Sequence, residues 1–185
     1  MKGLLFLQDN IRAEYKLRKA LHSDLGKIWE IMLQAKEMMR REGRCQWTEE
    51  YPLPVNIEHD IDKGYGYILY RDRESFKEDV MAYGAVVFDG EPNYAMIKGK
   101  WLTNGNYVVL HRLAVSDKYK NMGVATIFMQ RVEELARTEG VPAFRVDTNF
   151  DNVAMRRIFI KGNFTQCGEI TVRDGTPRIA YEKCL

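Results

Sequence analysis

Two periods organise the hydrophobic positions of this chain. Residues 14–20, EYKLRKA, alternate apolar and polar side chains and predict a first strand. From Leu25 the period lengthens: Leu25, Ile28, Trp29, Met32, Ala35 and Met39 fall on one face of a helix that runs to about Arg41, with Ser23 ahead of Asp24 as its N-cap and Gly43 as its stop. The stretch CQWTEEYPLP (45–54) holds two prolines and two aromatics without a period, which predicts a structured loop, followed by a short polar helix near 56–62. YGYILYRD (65–72) and DVMAYGAVVFDG (79–90) predict neighbouring strands with Asp89-Gly90 as a turn. NYAMIKGKWL (93–102) predicts another strand, and Asn104-Gly105 a hairpin into NYVVLHRLAV (106–115), the most β-like run of the chain.

A second amphipathic helix follows from Val124 to Thr138, striped by Val124, Phe128, Val132 and Leu135 and halted by Gly140 and Pro142. AFRVDTN (143–149) predicts a strand. NVAMRRIFIKGNF (152–164) predicts a short helix with Asn163 as a left-handed C-terminal residue, and two strands near 165–173 and 177–184 close the chain. Strand, helix and strand from 106 to 149 make a βαβ unit within a hairpin-rich order. The fold class is therefore α/β, with a central mixed, mostly antiparallel sheet flanked by helices.

Composition narrows the function. No repeat, low-complexity tract or linker interrupts the 185 residues, so residues 14–185 read as a single domain preceded by an arm or extra strand at 1–13. Basic residues number 28 against 26 acidic ones, for a net charge of +2 without a basic stripe, which argues against nucleic acid as the partner. Cys45, Cys167 and Cys184 lack the spacing of a disulfide framework or zinc site and suggest reduced thiols in a cytoplasmic protein with no metal. The apolar run 4–7 is far too short to span a membrane, so no membrane partner is expected.

The chemistry concentrates in SDKYKNMGVATIFMQ (116–130), where a strand gives way to a helix. A helix N-terminus presents unpaired amides and partial positive charge to an anion. Gly123 would let a ligand approach the backbone, Ala125 keeps the first turn uncrowded, and Lys118 and Lys120 would add charge. A plain strand-to-helix turn with solvated lysines is the alternative. Neither a P-loop ending in Gly-Lys-Ser/Thr nor a three-glycine dinucleotide fingerprint is present.

Lys120-x-x-Gly123-x-Ala125, within LHRLAVSDKYKNMGVA, resembles the acyl-CoA motif of the GCN5-related N-acetyltransferase (GNAT) superfamily, Arg/Gln-x-x-Gly-x-Gly/Ala, with lysine in the first place. DTNFDNVAMRRIFIKGNF is similar to the family's second CoA-contacting segment. The likeness covers about 14–184 and is densest from 107 to 164. It implies a sheet whose parallel central pair, 107–115 and 143–148, splays apart to admit acetyl-CoA as co-substrate. It implies direct acetyl transfer in a ternary complex to a primary amine of a small molecule, amino-acid-like compound or peptide. Backbone groups of Leu113, Ala114 and Val115 would meet the pantetheine arm, and amides of Asn121, Met122, Gly123, Val124, Ala125 and Thr126 the pyrophosphate, with Lys120 nearby. Asn152 matches the family asparagine at the pantetheine end. A monomer or homodimer is expected.

The acceptor ammonium must lose a proton before attack. His111 lies where many relatives carry a glutamate, and an imidazole is a side chain suited to general-base work; its strand face of Tyr107, Val109, His111, Leu113 and Val115 equally suits a core histidine. The backbone N–H near Leu113 or Ala114 is the simplest oxyanion donor. The family tyrosine that protonates the departing thiolate maps to Phe159, which has no proton to give. That leaves a second reading open, an acyl-CoA-binding sensor that has lost its chemistry. Trp47 and Tyr51, beside Glu49 and Glu50, are candidates for an acceptor pocket or for a loop anchored on the core.

Overall fold

The computed structural model describes residues 15–72, 78–172 and 174–185. The arm expected at 1–13 lies outside them. Eight strands form one sheet: β1 (Tyr15–Lys19), β2 (Gly66–Asp72), β3 (Glu78–Val87), β4 (Lys98–Gly99), β5 (Val108–Val115), β6 (Ala143–Thr148), β7 (Thr165–Thr171) and β8 (Pro177–Cys184). Their spatial order is β1-β2-β3-β5-β6-β8-β7-β4, antiparallel throughout except for β5 and β6. The four α-helices among the described residues are α1 (Leu25–Arg41), α2 (Pro54–Asp62), α3 (Val124–Thr138) and α4 (Val153–Lys161).

Two layers of helices bury the two faces of the sheet. On one side Phe128, Val132 and Ala136 of α3 pack with Phe159 of α4 against Leu69, Met81, Val86, Leu110 and Phe144. Gly84 makes room for this: a Cβ there would stand 2.8 Å from Leu110 and 2.9 Å from Phe128. On the other side Ile28, Ile31, Met32 and Ala35 of α1, with Ile57 of α2, cover Ile68, Val80, Tyr83 and Ala114. These are the apolar stripes that the 3.6-residue period implies.

Four expectations are corrected. Ser23 does not cap α1; it lies in a 3-10 turn, His22–Asp24, and the Asp24 carboxylate accepts the Leu21 N–H at 2.8 Å while pairing with Arg18. The short helix near 56–62 begins earlier, with Pro54 in its first turn, where a missing N–H costs nothing. Residues 93–102 are mostly not a strand: Pro92–Met96 is a 3-10 helix capped by the Glu91 side chain, and only Lys98–Gly99 pairs, with β7 at the sheet edge.

Asn104-Gly105 consequently makes no hairpin. Glu182, fully buried, instead collects the N–H groups of Leu102 and Thr103 and the Thr103 hydroxyl, and Arg145 completes the pair at 3.0 Å beneath Trp101. A buried carboxylate that must be satisfied outweighs a local turn preference.

Candidate active site

The site is built on a defect in β5. Tyr83 pairs with Ala114 but Ala85 pairs with His111, so Gly84 faces two residues, Arg112 and Leu113. Arg112 takes up the extra residue with φ of 54°, in the left-handed region. The bulge reverses the alternation of side chains. Val109 packs on the face that carries Tyr94 and Ala180, whereas Leu113 and Val115 pack with α3 on the opposite face, so the common face expected for 107, 109, 111, 113 and 115 does not exist. His111 ends half-buried just before the bulge.

β5 and β6 pair only at Val108 with Phe144 and at Val109 with Arg145. Beyond that point β6 is held by β8 alone. The parallel pair therefore splays, leaving the β6-facing edge of β5 open from about Leu110 onward. A cavity of about 710 Å3 occupies the splay. It gathers Leu113, Ala114, Val115, Lys120, Asn121, Gly123, Val124, Ala125, Thr126 and Asn152; Met122 is exposed and does not line it.

The turn before α3 has the geometry of an anion cradle. Asn121 and Gly123 have φ of 62° and 78°, and the first helical bond runs from Ile127 N–H to Gly123 C=O, so the amides of Val124, Ala125 and Thr126 have no helical acceptor. No side chain caps them. A Cβ on Gly123 would meet nothing within 4 Å, so the space above the turn is open to a ligand. These features fit a phosphate-bearing donor such as acetyl-CoA. The lysines are less available than the sequence suggests: Lys118 turns to Asp79 at 3.0 Å, and Lys120 pairs with Asp117.

Asn152 is buried and its amide is largely committed. Its Oδ1 accepts from Met155 N–H at 3.3 Å, as the cap of α4, and from Arg44 at 3.0 Å, and its Nδ2 donates to Gln46 at 3.3 Å. Gln46 Oε1 also accepts from the Thr148 hydroxyl and the Asn149 N–H. The loop after α1 is thus tied to the mouth of the splay.

A second cavity, about 690 Å3, opens on the α2 side of β5. The two cavities share a wall made by Gln46, Tyr51, His111, Arg112, Asp147 and Arg178. His111 Nε2 lies 2.9 Å from Glu91 Oε2, while Glu91 Oε1 accepts from the Asn93 N–H and side-chain amide. Burial alone would raise the Glu91 carboxyl, yet the bonds from His111 and Asn93 hold it down to about 2. Arg112 grips Asp60 through Nε at 2.8 Å and reaches the Tyr51 oxygen with Nη1 at 2.9 Å. Asp60 is 1% exposed and also accepts from Tyr83, whose phenol burial and the Asp60 charge keep protonated.

Trp47 is packed in the core beneath α1 and borders the larger cavity, while Tyr51 borders both. Sequence spacing does not single out Glu91, Arg112 or Asp60. Asp60 leaves one trace, a carboxylate three residues from Ile57 on the inner face of a helix, where it must find a partner. Among the described residues no cluster of His, Cys, Asp or Glu is arranged to hold a metal, and no helix is long and apolar enough to cross a membrane.

The family model for the Acetyltransferase (GNAT) family matches residues 29–162. No curated protein sequence matches significantly. Among solved structures, a GNAT-family acetyltransferase from Streptococcus agalactiae 2603 is 30% identical with a TM-score of 0.80, over 92% of this chain and 95% of its own. A GNAT-family acetyltransferase from Listeria monocytogenes 4b F2365 is 20% identical with a TM-score of 0.72 over the same shares, 92% and 95%. The NatC complex bound to Gag peptide and CoA shares the fold, with a TM-score of 0.59 at 13% identity over 93% of this chain and 99% of that one. With the match running from α1 to the end of α4 and the splayed parallel pair at its centre, this chain belongs to the GNAT family of acetyltransferases.

Proposed function

We propose that the chain moves an acetyl group from acetyl-CoA to a primary amine of a small-molecule or amino-acid-like acceptor, by direct attack with both substrates bound. The observation that carries this reading is the shared wall, which gives a donor cavity and a second cavity one common border at His111. The amides of 121–126, with Lys120 beside them, would hold the pyrophosphate. Backbone groups of Leu113, Ala114 and Val115 on the open edge of β5 would hold the pantetheine arm, and Asn152 and Gln46 would keep the mouth in shape. When bound, acetyl-CoA supplies a thioester carbonyl that an uncharged amine can attack.

His111 would take the ammonium proton. With Nε2 directed at Glu91, the ring's other nitrogen, Nδ1, is the basic atom. The Leu113 N–H would serve the oxyanion. Tyr51 borders the acceptor side, and Trp47 supports it from the core. Among the described residues, five carboxylates, Asp60, Asp89, Glu91, Asp147 and Asp174, line the second cavity against the guanidiniums of Arg112 and Arg178 with no lysine, a balance that suits a cationic acceptor.

Mixing the protein with acetyl-CoA and a panel of amines, peptides and polyamines should release free CoA thiol. Silence across that panel, with acetyl-CoA still raising the melting temperature, would instead support an acyl-CoA-binding module.

A further inference from the structure

We propose that Tyr51 is the acid of this enzyme, holding on its Oη the proton that the departing thiol sulfur takes up; this rests on the acetyl-transfer reading above. Phe159 cannot fill that role, because its ring is 2% exposed and packed between Phe164 and Tyr181. The phenols that border either cavity differ in how they are used. Tyr65, Tyr94 and Tyr119 each donate to a carboxylate, on Asp89, Asp147 and Asp79 respectively, and their protons are committed.

Tyr51 is used the other way round. Its oxygen accepts from Arg112 Nη1 at 2.9 Å, which leaves its own proton for a further acceptor. It borders both cavities, on the wall that also carries His111. Arg112 cannot drift from it, since Asp60 holds the guanidinium from below and Tyr83 holds Asp60. The bond from Arg112, charge-assisted from the start, is kept once the proton has left and then joins opposite charges.

The step balances. The amine N–C bond forms and the C–S bond breaks. One ammonium proton leaves through His111 to solvent before attack, and a second leaves the same nitrogen by that route as the tetrahedral adduct collapses to the amide. The Oη proton goes to sulfur and the Tyr51 phenolate regains a proton from solvent beside Arg112, so one proton is released overall.

Tyr51 is 36% exposed, so Tyr51→Phe removes the hydroxyl without opening the core. With an amine that the wild type acetylates, Tyr51→Phe should lower kcat about 100-fold, within the range for a general acid. With the acetyl selenoester of CoA, whose selenol is more acidic than a thiol and leaves unprotonated, the variant should match wild type. The dissociation constant of CoA, measured calorimetrically without acceptor, should not change. Unchanged kcat, an equal loss on both donors, or a loss that follows CoA affinity would each overturn the assignment. In those cases wild-type thiol release persists and acetyl transfer stands, whereas a wild type silent on every amine overturns both.

Discussion

Arg112 Nε donates to Asp60 Oδ2 at 2.8 Å and so joins the bulge of β5 to the inner face of α2. The pair is nearly sealed, with side chains 16% and 1% exposed. It fixes a left-handed arginine at the centre of the sheet and sets the wall between the two cavities. A lone residue at that φ is strained, and the surrounding bonds hold it there.

Asp60→Ala should therefore be among the most damaging single changes. It strands the Arg112 charge and the Tyr83 hydroxyl together, and breaking a buried pair from one side costs about 3–5 kcal/mol. Urea denaturation of the two proteins gives the difference directly, and a loss near zero would show that water satisfies Arg112.

Gly123→Val tests the cradle. The space around that Cβ is open, but φ of 78° penalises a branched residue by about 1–2 kcal/mol, and the side chain would cover the amides of the turn. Stability should fall by that amount while CoA affinity falls about tenfold, or 1.4 kcal/mol, by calorimetry. A folded variant with wild-type affinity would remove the turn from the donor site.

His111→Ala should lower kcat by about 10²- to 10⁴-fold, the usual contribution of a general base, and flatten the pH–rate profile while leaving CoA affinity largely intact. Equal activity across pH would return His111 to a structural role.

Glu91 links stability to acid. Its carboxyl is depressed from 4.5 to about 2, so it stabilises the fold fully above about 4.5, and the contribution is lost as pH falls from 4.5 toward 2. The stability gap between wild type and Glu91→Gln should be largest at neutral pH and shrink across that window, as read by denaturant melts at stepped pH. A gap independent of pH would place the effect in packing alone.

The strands and helices that follow a clean period are legible in the sequence. The stripes of α1 and α3 and the βαβ unit appear where the spacing puts them, because burying one face of a helix or strand is a local demand written in the pattern. So is the turn at 120–126, where one glycine between a strand and a helix leaves the amides uncapped.

Residues 93–105 are not legible in this way, since their turn signals are overruled by Glu182, which lies about eighty positions away. Nor is the wall that the two cavities share. Arg112, Asp60, Glu91 and Tyr51 come from separate elements, and the bulge of β5 changes which face each neighbour of His111 occupies.

What the sequence by itself determined is the order of elements, the sheet class and the strand-to-helix turn with its uncapped amides, each a property of near neighbours. What only the tertiary structure decided is which charged and phenolic groups share a wall with His111. Those contacts depend on the satisfaction of buried polar groups across distant segments, and no local period records that requirement.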